Sequence, residues 1–283
     1  MKLHRFVLLG IVALVGMLGL VGCGGEKVEI AKVSITAQDY SFGAPESIAG
    51  GLVELDLSNT GNESHHAQIA QLNAGVTMEQ LGATMQQNPD AALGMLTLVG
   101  GPAPIPPGGK SEAVVDLKEG MHVLLCFVPS SDGLPHLAKG MVKPMMVTAP
   151  PATRPASPKP ALTVNLRDYA FDYQGTIKKG ESVLEVVNKG KEPHEMGVLK
   201  LKAPANEVLK MLTTPPTAGS PAPAGPPPFE ESGGFQAVSP EGKGWTTLNL
   251  EAGDYALICF VPSPAQGGAP HVALGMFKPF TVS

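Results

Sequence analysis

Two stretches of this chain bring sulfur and imidazole together at short spacing. One runs from Cys126 through a turn-rich loop to Pro135-His136 and then Gly140-Met141. The other runs from Cys259 through a similar loop to Pro270-His271 and then Gly275-Met276. Both pass straight into an alternation of apolar residues. A soft thiolate, an imidazole and a thioether offered by one loop form a donor set that suits copper better than zinc or iron. Such a site needs a second imidazole. Upstream, the segments Asn59-Thr-Gly-Asn-Glu-Ser-His65 and Asn188-Lys-Gly-Lys-Glu-Pro-His194 each end in a histidine six residues beyond an asparagine. Strand alternation puts His65 on the face of Ala67 and Ile69, the buried one. Its neighbour His66 falls with Gln68 and aligns with Glu195, which predicts a solvent-facing ring. Taken singly, each residue has a plain structural reading: Pro-His can cap a turn, Gly-Met can begin a strand, and a buried cysteine is a small hydrophobe. The complete set occurring at two equivalent places favours metal ligation.

These residues sit within an internal duplication. Val33–Phe42 matches Leu162–Phe171, Leu52–Gly61 matches Ser182–Gly190, and Val115–Gly120 matches Leu248–Gly253. The matched blocks alternate apolar and polar residues, as half-buried strands of an antiparallel sheet do. Gly, Asn and Pro fill the turns between them. Each repeat also carries an insertion. Thr77–Gln87 reads as an amphipathic helix with a Thr cap, stopped by Asn88-Pro89, and Asn206–Leu212 reads as a shorter equivalent. The methionines here are expected to pack against the sheet edge. The Pro, Ala, Gly and Ser content of 214–225 predicts a disordered loop. Pro150–Pro160 has proline at almost every second position, a stiff extended spacer of roughly 30 Å. The expected organisation is therefore a leader over 1–23, a tether over 24–30, a first domain over 31–149, the linker over 150–160 and a second domain over 161–283.

Composition narrows the function classes. Only 16% of residues are charged, and 34 Gly and 28 Pro suit short strands joined by turns better than a helical bundle. A net charge of −5 without any basic stripe argues against a nucleic-acid binder. Lys2, His4 and Arg5 precede the apolar run Phe6–Val21, too short for an ordinary spanning helix and typical of a targeting segment. It ends in Leu20-Val21-Gly22-Cys23, which resembles the lipobox of bacterial lipoproteins, with Cys23 as the lipidated residue. The expected location is the cell envelope, lipid-anchored, in the periplasm or on the outer face of the cytoplasmic membrane. Cys126 and Cys259 remain. A disulfide between them would have to tie the two repeats together at their ligand loops, so metal ligation is the preferred reading.

Each repeat resembles a cupredoxin, the blue-copper family of plastocyanin and azurin. The resemblance rests on Asn-x-Gly followed by His, on Gly-x-x-x-x-x-Cys, and on Pro-His-x-x-x-Gly-Met. It implies an all-β fold: two tandem Greek-key β-sandwiches, each with a short helical insertion. It implies one copper per domain, held by His65, Cys126, His136 and Met141 in the first and by His194, Cys259, His271 and Met276 in the second. Asn59 and Asn188 resemble the family residue that pins the ligand loops together. The spacer from cysteine to histidine is nine residues in one repeat and eleven in the other, longer than in the small members of the family.

The activity so implied is electron transfer with redox protein partners, a cytochrome or a membrane oxidoreductase, and no small-molecule substrate. A copper oxidase would need a further open copper centre. Beyond the presumed ligands the mature chain offers only His66 and His122, and Leu125, Phe127, Ile258 and Phe260 flank the cysteines where such enzymes place histidines. The chain is thus expected not to be an enzyme. Copper storage, delivery or sensing, and a metal-free binding module, are the alternative readings.

Overall fold

The computed structural model describes residues 28–214 and 226–283. The leader with Cys23 and nearly all of the 214–225 loop lie outside them. The first repeat lays down β1 (Ala31–Gln38), β2 (Ser41–Gly43), β3 (Ser47–Ala49), β4 (Gly51–Asn59) and β5 (Gln68–Leu72). It continues with β6 (Leu96–Gly100), β7 (Lys110–Leu117), β8 (Gly120–Leu125) and β9 (Val142–Thr148). The second contributes β10 (Leu162–Arg167), β11 (Ala170–Asp172), β12 (Gly180–Asn188), β13 (His194–Leu201) and β14 (Phe229–Val238). Then come β15 (Lys243–Leu250), β16 (Gly253–Ile258), the two-residue strands β17 (Pro262–Ser263) and β18 (Ala269–Pro270), and β19 (Phe277–Val282).

Alternation holds along β1 and β4. Along β4 every second residue is buried, so Val53, Leu55 and Leu57 face inward while Glu54 and Asp56 face out. The inward residues of the two sheets meet in one core, with Val33, Ile35 and Leu55 from one sheet against Ile69, Leu124 and Met145 from the other. The fold is an all-β sandwich in each repeat. The pairing is antiparallel with three exceptions: β1 runs parallel to β4, β10 parallel to β12 and β3 parallel to β9. In the first repeat the chain leaves β2 for the opposite sheet, where β3 pairs with β9, before returning as β4. That crossing reverses the direction a simple hairpin would give.

Both sheets run through both repeats. Eight strands lie in the order β11-β10-β12-β15-β7-β4-β1-β2, and nine in the order β19-β16-β13-β14-β6-β5-β8-β9-β3. Read outward from the middle, each order meets equivalent strands on either side. The halves therefore join edge to edge, β7 against β15 and β6 against β14. Phe235 seals the joint. A Cβ on Gly100 would come within 2.2 Å of its ring and one on Gly244 within 2.3 Å, so only glycine admits the ring from either side. Gln68 adds hydrogen bonds from Nε2 to the carbonyls of Ala237 (2.9 Å) and Gly100 (3.2 Å). The proline-rich segment does not hold the halves apart. Arg154 pairs with Asp116, Pro158 shares a cleft with Val183 and Trp245, and the Ala161 N–H donates to the Val183 carbonyl at 2.8 Å.

The insertions are helical as expected. α1 (Met78–Gln87) starts at Thr77, whose hydroxyl accepts the Gln80 N–H while the Gln80 side chain accepts the Thr77 N–H. Asn88 both ends α1 and caps the single turn α2 (Pro89–Leu93). The second insertion forms α3 (Ala205–Thr213). Met78, Met85 and Met95 pack with Leu72, Leu81, Val123 and Leu125, so they cover the outer face of β5 and β8 rather than an edge.

Candidate metal centres

Asn59 begins the first site. Buried at the end of β4, its Nδ2 donates to the carbonyls of Glu63 (2.8 Å) and Ile105 (2.9 Å), and its Oδ1 accepts the Gly61 N–H (2.9 Å). The turn so formed delivers His65, whose backbone pairs in both directions with Ile105. Asn188 repeats this pattern with Glu192, Val238 and Gly190. Its hold is on the turn before the first histidine and on the neighbouring strand. The loop from cysteine to histidine is closed by other bonds.

That loop starts at the end of β8. The Leu137 N–H donates to the Cys126 carbonyl at 2.8 Å, the His136 N–H to Val128 and the Met141 N–H to His136. A 3-10 turn over His136–Lys139, ended by left-handed Gly140, folds the histidine back over the cysteine. The second repeat makes the same bonds: Val272 to Cys259, His271 to Val261 and Met276 to His271. Its two additional residues are absorbed by the β17–β18 pair and a 3-10 turn over Pro264–Gln266. The longer loop closes as well as the shorter.

Each site brings its three donors together in full burial. His65, Cys126 and His136 are each 0% exposed, as are His194, Cys259 and His271. In the first, the two Nδ1 atoms lie 2.9 Å apart, and Cys126 Sγ lies 3.5 Å from His136 Nδ1 and 3.9 Å from His65 Nδ1. In the second, the Nδ1 atoms are again 2.9 Å apart and Cys259 Sγ is 3.4 Å from His271 Nδ1. Ordinary metal bonds of about 2.0 Å to nitrogen and about 2.3 Å to sulfur fit inside such triangles. Both cysteines are free thiols. Met141 and Met276 are wholly buried in the core that contains the cysteines, directly after the loops.

The outer nitrogens carry further information. His65 Nε2 faces Asp39 Oδ1 at 3.1 Å and His136 Nε2 faces Glu63 Oε2 at 2.6 Å. His194 Nε2 faces Asp168 Oδ1 at 3.0 Å and His271 Nε2 faces Glu192 Oε2 at 2.9 Å. A carboxylate accepts a proton and never donates one when ionised, so every Nε2 must carry the hydrogen. The two Nδ1 lone pairs of each neutral pair then point at each other across 2.9 Å. A cation between them, a proton or a metal ion, relieves that arrangement, and a thiol hydrogen given to one Nδ1 relieves it only in part. The residues fit a metal.

Electrostatics points the same way. Burial pushes Cys126 up to about 11 and Cys259 well above the ordinary thiol value, so without a cation both stay protonated. Burial also lowers His65, His194 and His271, which keeps their rings neutral. Asp39 and Asp168 lie below the ordinary carboxylate value despite the opposing effect of burial. At Asp39 the Asn62 side chain is the largest cause, and at Asp168 the His194 contact is the largest lowering one.

His66 departs from expectation. It is only 5% exposed, and its Nε2 accepts the Phe127 N–H at 2.8 Å. Burial takes its pKa down to about 3. Strand parity fails here because residues 65–70 are buried without a break, covered by the insertion helices on one face and by the core between the two sheets on the other. Glu195 takes the same role in the second repeat, accepting the Phe260 N–H at 2.6 Å, and burial raises it to about 7. His122 is a core residue of β8, its Nδ1 3.1 Å from the Gly120 carbonyl.

Sequence reasoning did not single out Asp39, Glu63, Asp168 or Glu192. The signal was available, since all four are identical between the repeats at positions facing solvent in part. The tyrosines that follow the aspartates, Tyr40 and Tyr169, stand at φ 67° and 65°, a costly conformation for a bulky side chain, and both set a ring edge against the second histidine.

No family model and no curated protein matches the chain. Among solved structures it is similar to a dithionite-reduced auracyanin from Roseiflexus castenholzii at 18% identity, over 41% of this chain and 96% of that one, with a TM-score of 0.30. Auracyanin A from Chloroflexus aurantiacus, a "blue" copper protein, aligns at 14% identity over 42% of this chain and 99% of that one, with a TM-score of 0.29. A multicopper oxidase aligns at 13% identity over 89% of this chain and 88% of that one, with a TM-score of 0.25.

Proposed function

We propose that the chain is a copper-binding electron carrier with two type 1-like centres, tethered by lipid outside the cytoplasm. The observation that carries the reading is the repeated triangle of two buried Nδ1 atoms and one buried Sγ, with both Nε2 atoms already committed to carboxylates. His65, Cys126 and His136 would hold one ion and His194, Cys259 and His271 the other, with Met141 and Met276 as thioether donors. Copper bound there would supply a one-electron couple. The protein's part is to keep its donors still. Each imidazole is held at Nε2 by a carboxylate, each cysteine sits at the end of a paired strand, and the loop between them is bonded back to its own start. Little has to move when the charge changes, and no water reaches the thiolate.

Nothing in this mechanism requires a substrate pocket. Among the described residues the histidines beyond the two triangles are His66 and His122, both occupied in packing, which supports a carrier over an oxidase. Partners are redox proteins, a cytochrome or a membrane oxidoreductase. Anchoring rests on the lipobox-like sequence at Cys23, since among the described residues no helix is long and apolar enough to cross a membrane.

Addition of Cu(II) to the purified chain is expected to produce an intense visible thiolate-to-copper band with two copper ions per chain by elemental analysis. Cys126→Ser and Cys259→Ser should each remove about half of the band, in proportion to the sites left. The double variant should be colourless. A colourless wild-type protein free of copper rejects the reading. Copper bound without reversible reduction moves it to storage or delivery.

A further inference from the structure

In neither triangle does a histidine show a bare outer edge. Four imidazoles meet four carboxylates, and three of the carboxylates are held in turn. Asp39 accepts the Asn62 N–H at 2.9 Å as well as its side-chain amide, and Asp168 accepts the Lys191 N–H at 2.8 Å. Glu192 accepts the Ser263 hydroxyl at 3.0 Å. Glycine makes room for two of the pairs. A Cβ on Gly61 would lie 2.4 Å from Asp39 Oδ1 and 2.7 Å from His65 Nε2, and one on Gly190 would lie 2.4 Å from Asp168 Oδ1 and 2.5 Å from His194 Nε2. The left-handed tyrosine after each aspartate completes a local arrangement built twice at the same cost.

We infer that Asp39, Glu63, Asp168 and Glu192 are positioning residues that bias each site toward Cu(II) over Cu(I). The inference rests on the copper reading above. A carboxylate that takes the Nε2 hydrogen fixes the tautomer and makes Nδ1 a stronger donor. It also places a negative charge one ring away from the ion, on side chains 16–33% exposed, where water screens it only in part. Both effects favour the doubly charged ion. Two such carboxylates per site give the centre a low reduction potential and tight Cu(II) binding. Preset lone pairs let the metal enter without turning a ring.

The test reads one site at a time, on the Cys259→Ser background for the first and on Cys126→Ser for the second. Asp39→Asn and Glu63→Gln, singly and together, keep the side-chain size and remove the charge. The expected result is a visible band of undiminished type, Cu(II) affinity lower by about 10–100-fold, and a reduction equilibrium moved toward Cu(I) by about tenfold or more per carboxylate, which is about 59 mV for a one-electron couple. Asp168→Asn and Glu192→Gln should do the same at the second site. Should the double variant misfold, the single variants carry the measurement. A retained band with an unmoved or lowered potential overturns the inference while leaving the copper reading intact. A wild-type chain that never colours removes both.

Discussion

The donor triangles carry a charge problem that makes the metal-free protein sensitive to pH on both flanks. His65, His194 and His271 are lowered from 6.5, so the unfolded chain binds more protons than the folded one as pH drops through that value. Their contribution to stability is present above pH 6.5 and is lost below it. The lowered Asp39, Glu63 and Asp168 act in the same direction further into acid. The cysteines are raised from 9.0, so their contribution is present below that value and is lost as pH rises through the folded one. Thermal melts of the apoprotein should therefore show highest Tm between about pH 6.5 and 9. Each thiol must also release its proton to bind a metal, so apparent affinity should climb about tenfold per pH unit across neutrality, measured by competition with a chelator. What could be read in the sequence at this scale was the ligand type: sulfur and imidazole stand out by rarity, and the duplication marks them twice. The carboxylates did not stand out because aspartate and glutamate are common, and their role depends on a turn that folds Glu63 toward His136. His66 was misread because alternation describes a strand with one dry face, and the stretch after His65 has two.

Among the elements, the Asn turns matter most. Asn59 and Asn188 each satisfy three backbone groups from a buried position, and removal strands those groups away from water. Asn59→Ala should cost about 1–3 kcal/mol in chemical denaturation. It should also broaden the visible band of the first site alone, since the same turn sets Glu63 and His65. Thr77 offers a contrasting case. Thr77→Ala removes the hydroxyl that accepts the Gln80 N–H, leaves the backbone half of the capping box in place, and should cost about 1 kcal/mol, with no effect on either band, because α1 lies over the outer face of β5 and β8. Helix starts and strand alternation were legible from local chemistry. The parallel pairing of β1 with β4 was not, for it follows from a crossing between sheets that no local pattern encodes.

At the scale of the molecule the repeats complete each other. Strands β6, β7, β14 and β15 would be edges in a lone repeat, and here each covers its counterpart. Residues 31–149 produced alone should self-associate through the exposed β6 and β7, seen as dimers or larger species in sedimentation. Gly244→Ala drives a methyl into Phe235 and should destabilise by about 1–3 kcal/mol. Both halves should then lose structure in a single shared transition. The proline-rich segment looked like a spacer because composition reports stiffness and leaves the landing place open. Pro158, Arg154 and Ala161 find theirs on the sheet itself.

Halves joined by hydrogen-bonded strands cannot drift apart on dilution. The interval between the two triangles is thus a constant of the molecule, and any exchange between them is first order in protein. Two free single-centre carriers would have to collide, and their exchange would slow with every halving of concentration. Here the rate of any such exchange should be the same at micromolar as at millimolar protein.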